Sequence, residues 1–275
     1  MICTLLRTSA LLSLAASAIS LDAAAQQSRT DVPWPDTAWR QIGPASIGGR
    51  VSAIAAVADD PRIIFVGAAS GGVFRSVNNG VTWEPVFDAD GTALSIGDIA
   101  IAPSDRNVVW VGTGEANNRQ TSTWGDGVYR SLDGGSTWRN MGLHDTQSIG
   151  RVVIDSHNPQ VVFVAAAGHL FGPNEQRGLY RTRDGGATWQ KLLGIDANTG
   201  VIDVALAPDG RTMFAASYER RRRAFGFVGG GPSSAIWRSQ DGGDTWTRLS
   251  SGLPTGNSGR IGLPSPRAIR ASCTQ

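Results

Sequence analysis

Val128-Tyr-Arg-Ser131-Leu-Asp133-Gly-Gly135-Ser-Thr137-Trp138 decides the fold, because the chain writes it four times. The other copies are Val73-Phe-Arg-Ser76-Val-Asn78-Asn-Gly80-Val-Thr82-Trp83, Leu179-Tyr-Arg-Thr182-Arg-Asp184-Gly-Gly186-Ala-Thr188-Trp189 and Ile236-Trp-Arg-Ser239-Gln-Asp241-Gly-Gly243-Asp-Thr245-Trp246. The tryptophans stand 55, 51 and 57 residues apart. A fixed period of that size belongs to repeat architectures. Each copy reads as a hairpin. Alternating apolar residues lead in, the Asp carboxylate accepts turn N–H groups, a glycine takes the positive-φ position, and the Trp packs the outgoing strand onto its neighbours. Asn78 keeps the acceptor in the first copy. Calcium binding is the competing reading of the repeated aspartates. One carboxylate per box is too few for an oxygen cage, so Asn78, Trp83, Asp133, Trp138, Asp184, Trp189, Asp241 and Trp246 are read as structural.

A pair of apolar strands precedes each box: 51–58 with 63–69, 99–103 with 108–112, 152–155 with 161–167, and 201–207 with 212–217. Turn residues separate the members, as in Asp59-Asp60-Pro61 and Pro208-Asp209-Gly210. Four strands per unit at this period predict an all-β fold, a β-propeller blade repeated around an axis. Residues 38–43, Ala-Trp-Arg-Gln-Ile-Gly, are similar to the outer strand 137–142, and Arg260-Ile-Gly-Leu263 begins another inner strand. The expectation is therefore four box-bearing blades plus an incomplete fifth, in a fragment or frame-disrupted product. A closed four-bladed ring is the competing reading, and it leaves 38–43 and 259–263 without a blade.

Composition agrees. Glycine is 35 of 275 residues, against a usual level of about 7%. Lys191 is the only lysine, and four of the 23 acidic residues are glutamates. That excludes the Glu- and Lys-rich solvated faces of an all-α protein. Hydrophobic content of 41% excludes wholesale disorder, and a net charge of +2 gives no reason to expect nucleic acid as a partner.

Residues 1–25 read as a secretory signal: Arg7, an apolar run from Leu11 to Ile19, and Ala23-Ala24-Ala25 before Gln26. The run is short of the roughly 20 residues that span a bilayer, so cleavage is preferred to anchoring, and no membrane span is expected after it. The organisation expected is signal 1–25, linker 26–37, propeller 38–263 and irregular tail 264–275, in a secreted or periplasmic protein. Of the two cysteines, Cys3 and Cys273, cleavage removes the first, so burial rather than a disulfide must stabilise the mature chain.

The boxes resemble the Asp-box (BNR) repeat of sialidases, sortilin/Vps10-type propellers and xyloglucan-active glycoside hydrolases. The chain is similar above all to bacterial exported sortilin-like, "glycosyl hydrolase, BNR repeat" proteins. The stretches that carry this are Ile42-Gly-Pro-Ala-Ser-Ile-Gly-Gly-Arg50, Gly112-Thr-Gly-Glu-Ala-Asn-Asn-Arg119, Gly168-His-Leu-Phe-Gly-Pro-Asn-Glu-Gln-Arg-Gly178 and Gly252-Leu-Pro254. The resemblance covers about residues 34–263 and implies a propeller. The sequence lacks the arginine triad and Phe-Arg-Ile-Pro-type motif of a sialidase. Where xyloglucan hydrolases carry a catalytic Asp, this chain reads Ala69-Ser70-Gly71-Gly72.

In propellers the box hairpins lie opposite the loops that surround the mouth of the axis, so ligand contacts are expected in the three long insertions. The first, 115–126, holds Glu115, Asn117, Asn118, Arg119, Trp124 and Asp126. Glu115 and Asp126 beside an aromatic could act as acid and base on a sugar, or Asp126-Gly127 could simply form a turn. The second, 169–177, holds His169, Phe171, Asn174, Glu175 and Arg177. His169 has no partner at metal-ligand spacing, and no metal or cofactor is expected. The third, 219–233, holds four arginines, 220–223 (Arg221 and Arg222 central), before Phe225 and Phe227. Those arginines could grip an anionic polymer or a partner's acidic tail, although a solvated charge run is the simpler reading. Gly49-Arg50, Gly97-Asp98, Gly150-Arg151, Ile202-Asp203 and Gly259-Arg260 place Arg and Asp alternately at the start of successive inner strands, which predicts a ring of paired charges about the axis. A binding or scaffold module for protein or glycan is the main functional expectation, with a carbohydrate-active hydrolase second.

Overall fold

The computed structural model describes residues 49–119 and 122–264. The expected signal, linker, strand 38–43, both cysteines and the tail beyond Pro264 lie outside the described residues. Four antiparallel sheets follow one another along the chain. The first is β1 (Val51–Ala56), β2 (Ile64–Ala68), β3 (Val73–Ser76) and β4 (Glu84–Pro85). The second is β5 (Ile96–Ala102), β6 (Asp105–Thr113), β7 (Val128–Ser131) and β8 (Arg139–Asn140). The third is β9 (Ile149–Ile154), β10 (Val162–Ala166), β11 (Gly178–Thr182) and β12 (Gln190–Leu193). The fourth is β13 (Thr199–Leu206), β14 (Met213–Arg223), β16 (Ile236–Ser239) and β17 (Thr247–Arg248), with β15 (Gly226–Gly229) paired to the far end of β14. Only a 3-10 turn at His144–Thr146 interrupts the all-β structure among the described residues. The first strands neighbour each other in the order β1, β5, β9, β13, the arrangement of propeller blades about an axis.

The core lies between sheets. Phe65, Val73, Ile99, Val109, Val111 and Trp138 fill the space between the first two. Trp110, Val128, Val152, Val162 and Tyr180 fill the next, and Phe163, Leu179, Val204 and Met213 the third. Strand β6 contributes Val109 and Val111 to one side and Val108 and Trp110 to the other, so its run of apolar residues reflects burial on both faces.

The repeated box closes each blade by the same hydrogen bonds. In the second blade the Asp133 carboxylate accepts Thr137 N at 2.9 Å, Thr137 Oγ1 at 2.7 Å and Ser131 Oγ at 2.7 Å. Ser131 Oγ in turn accepts Gly135 N at 2.8 Å. Asp184 and Asp241 repeat the pattern, and in the first blade Asn78 Nδ2 donates to Thr82 Oγ1 instead. Gly135 must be glycine: its φ is +83°, and a Cβ there would stand 2.6 Å from the Phe65 ring of the preceding blade.

Two further contacts recur between blades. An arginine of the third strand donates to a hairpin carbonyl of the next blade: Arg75 to Gly134 O at 2.8 Å, Arg130 to Gly185 O at 2.6 Å and Arg181 to Gly242 O at 2.7 Å. The box tryptophan donates backward, Trp138 Nε1 to Val86 O and Trp189 Nε1 to Met141 O, each at 2.7 Å. Trp246 bonds its own Gly243 O instead, and Trp83 is partly exposed. Beyond the fourth sheet, Ile261 and Leu263 pack against the cluster of Ile202, Ala216 and Tyr218. Leu263 N donates to Asp203 Oδ2 at 2.9 Å, as Val152 N of β9 donates to Asp98 Oδ2 at 2.7 Å. The chain after Arg260 thus follows β13 as β9 follows β5, the position of a first strand in an incomplete fifth blade, though it forms no ladder.

Candidate functional site

Backbone hydrogen bonds sort the connections into two ends. At one end each box hairpin bonds the turn before it: Asn79 N to Arg62 O, Gly134 N to Asn107 O, Gly185 N to Gln160 O and Gly242 N to Arg211 O. At the other end the insertions bond the inter-blade loops: Gly114 N to Ser95 O, Gly125 N to Gln147 O, Ala167 N to Ser148 O and Arg220 N to Asn198 O. All three long insertions therefore share the loop end with the starts of the first strands.

The first insertion folds across that end. Gly114 has φ +83°, and a Cβ there would lie 1.8 Å from Gln147 O, so only glycine lets the loop turn this tightly. Glu115 is completely buried, with both carboxylate oxygens on Arg50, at 2.6 and 3.1 Å. Asn117 Oδ1 accepts Arg260 at 2.7 Å, Asn118 donates to the Tyr218 hydroxyl, and the Arg119 carbonyl accepts Arg222 at 3.1 Å. Asp126 is held by the Tyr129 hydroxyl at 2.8 Å, by Thr113 and by Thr92. Both carboxylates of the expected acid–base pair are thus engaged within the fold.

The charged inner positions are brought together only in part. Arg151 lies 2.9 Å from Asp203 and 3.7 Å from Asp98, whereas Arg50 turns to Glu115 and Arg260 to Asn117. Burial pushes the Asp98 carboxyl up to about 6, against the pull of Arg151 and the N–H groups of Val152 and Ile99.

Arg177 does not pair with Glu175. Buried, it donates to the carbonyls of Ala197, Ala167, His169 and Gly172, pinning its own loop, and burial brings its guanidinium down to about 10. Glu175 is exposed, and its backbone carbonyl accepts Lys191. The expected solvated run at 220–223 is also different in kind. Arg220 has no exposed surface, and burial likewise brings it to about 10. Arg221 donates to Asn198 Oδ1 at 3.1 Å, and Arg222 stacks over Phe227 at 5.8 Å.

Ser122, Thr123, Trp124, Gln147, Ser148, His169, Leu170 and Phe171 line a cleft of about 240 Å³ at this end. Trp124 and Phe171 border it while remaining 66% and 58% exposed. The half-buried His169 bonds Asp145 O at 2.9 Å through Nε2. Gln147 sits at φ +56°, a conformation non-glycine residues rarely adopt. Sequence reasoning finds Trp124 and His169 but misses Gln147, Ser148, Ser122 and Thr123, which are unremarkable polar residues until the loops meet. Phe171 is visible in its insertion, yet only the fold sets it on the same cleft as Trp124. Among the described residues no group of three His, Cys, Asp or Glu could hold a metal ion, and no helix is long and apolar enough to cross a membrane.

Radially arranged four-stranded blades with repeated hairpins at one end and a loop-built cleft at the other define a β-propeller. The Sortilin-Vps10 family model, described as sortilin, neurotensin receptor 3, matches residues 71–225, more than half of the chain, and the chain belongs to that family. It is also 26% identical over 266 residues to the xyloglucanase Xgh74A of Acetivibrio thermocellus, covering 88% of this chain and 30% of that protein. The chain therefore spans about a third of the length of the curated relative it matches. Among solved structures it is similar to an ancestral GH74 enzyme (TM-score 0.61, 24% identity, 82% of this chain and 29% of that one). The GH74 xyloglucanase of Xanthomonas campestris is also similar (TM-score 0.58, 17% identity, 78% and 32%). These structural likenesses establish the propeller fold.

Proposed function

We propose that this chain is an exported propeller module whose loop end binds glycan without hydrolysing it, through the cleft between Trp124 and Phe171. The observation that carries the reading is the pair of exposed aromatics on one cleft whose other walls offer hydroxyls, an amide and an imidazole. Sugar rings present an apolar face to an aromatic and hydroxyls to such polar groups. Similarity to a xyloglucanase supports a glycan over a protein ligand. Hydrolysis is the second reading, favoured by that same similarity. It needs two available carboxylates, yet Glu115 is enclosed with Arg50, Asp126 is held by three hydroxyls, and neither lines the cleft. Affinity electrophoresis of the full chain in xyloglucan gels is expected to show retardation that Trp124→Ala weakens about tenfold, a loss of roughly 1.4 kcal/mol. Reducing-sugar release that vanishes in Glu115→Gln would overturn the non-hydrolytic reading.

A further inference from the structure

The fourth blade departs from the other three in one respect. Strand β14 runs past its sheet and pairs its last four residues with β15, Arg220 opposite Gly229 through Arg223 opposite Gly226. The resulting ribbon ends in Phe225, which is fully exposed. It is fastened beside the aromatic cleft: Arg222 N donates to Leu170 O at 2.8 Å, and Phe171 forms a parallel bridge with Arg222. The ribbon is therefore a wall beside the Leu170–Phe171 segment, next to the cleft rather than among the residues that line it.

That wall is positively charged and uncompensated. Among the described residues none of Arg119, Arg221, Arg222 or Arg223 has a carboxylate within 4.0 Å, whereas Arg62, Arg75, Arg106, Arg181 and Arg183 each do. The groups that orient the ribbon arginines are neutral: the Asn198 amide, the Arg119 carbonyl and the face of Phe227. Neutral acceptors fix a guanidinium's direction and leave its charge to act on a ligand. A guanidinium matches a carboxylate in a planar, two-pronged contact.

We propose that the glycan bound at this face is an acidic one, its uronate carboxylates taken by the β14–β15 ribbon while its rings stack on Trp124 and Phe171. The proposal rests on the glycan reading above. Aromatic stacking alone would accept neutral and acidic sugars alike, so the arginines decide between them.

Isothermal titration of the full chain with an oligogalacturonate, and with a cello-oligosaccharide of the same length, tests this. The acidic sugar is expected to bind about tenfold more tightly in dilute buffer. That advantage is expected to shrink to within about twofold at roughly 1 M salt, where screening reaches about 3 Å. Arg222→Gln/Arg223→Gln is expected to remove the same advantage. Arg223→Gln alone, at an exposed position and with the backbone pairing to Gly226 untouched, is expected to reduce it, so a folding defect at Arg222 cannot imitate the result. Equal affinity for the two sugars overturns the acidic specificity and leaves the glycan reading standing. A heparin fragment binding as tightly as the galacturonate, with no loss in Trp124→Ala, overturns it in favour of an unspecific polyanion contact. Failure of both oligosaccharides to bind overturns both readings.

Discussion

The two ends of the blades are built by opposite rules. At the hairpin end the threonine N–H bonds the aspartate or asparagine side chain in the same way four times. At the loop end no two insertions share a length or a bonding pattern. The first reaches two blades, Glu115 to Arg50 and Asn118 to Tyr218. The second bonds the loop before the fourth blade, Arg177 to Ala197, and the third reaches back to the first insertion, Arg222 to Arg119 O. Repetition here marks what holds blades together, and departure from repetition marks the end at which glycan binding is proposed. The commonest residues of the chain are thus a poor guide to its chemistry.

The comparison breaks if a box residue proves dispensable for folding. Trp138→Ala should cost most, about 3–5 kcal/mol in urea unfolding, because the ring is buried against Phe87 and its N–H bonds Val86 O. Asp133→Ala should cost less, about 2 kcal/mol, through the loss of charge-assisted bonds to the Thr137 and Ser136 amides. By contrast Trp124→Ala, at the loop end, should change stability by no more than about 0.5 kcal/mol while weakening glycan retention.

Acid titration sharpens the comparison, because carboxylates at the hairpin end and at the axis shift in opposite directions. Asp133 is drawn down to about 2, its burial outweighed by hydrogen bonds from Thr137 and Ser131, and Thr188 draws Asp184 to about 2 as well. Their folded values lie below the ordinary 3.8, so the stability they contribute is present above that value and is lost as pH falls toward 2. Asp98 is the reverse: raised to about 6, it binds its proton more readily in the folded state, so its contribution falls as pH rises from about 4 to 6. Asp98→Asn should therefore flatten the stability profile between pH 4 and 6, and Asp133→Asn should flatten it below 4. A profile unchanged by either substitution would remove the distinction. Among the box tryptophans the smallest effect is expected from Trp83→Ala, about 1 kcal/mol or less, because this ring is already 39% exposed.

Much of the fold could be read from residues alone, since a box hairpin is a local object: its bonds join residues two to four apart. Strand limits were less legible. The spacing predicts a strand ending at 217, but β14 runs to Arg223 because Gly226–Gly229 returns to pair with it. Apolar patterning is silent on such a polar ribbon. Of the candidate site, Trp124 and the arginines 220–223 stand out by type, whereas Gln147 and Ser148 do not. Glu115 and Asp126 drew attention as a spaced acid pair, and spacing carries no information about the partners that enclose them.

The sequence by itself determined the repeat, the number of box-bearing blades and the family, because each rests on short-range chemistry written afresh about every 51 to 57 residues. Only the tertiary structure decided that Arg50 encloses Glu115, that Trp124 and Phe171 border one cleft, and that Arg222 pairs with Phe171 beside it. Those contacts join residues about 50 to 100 positions apart. Such distances close only when blades pack around an axis, and no local pattern encodes which loops will then meet.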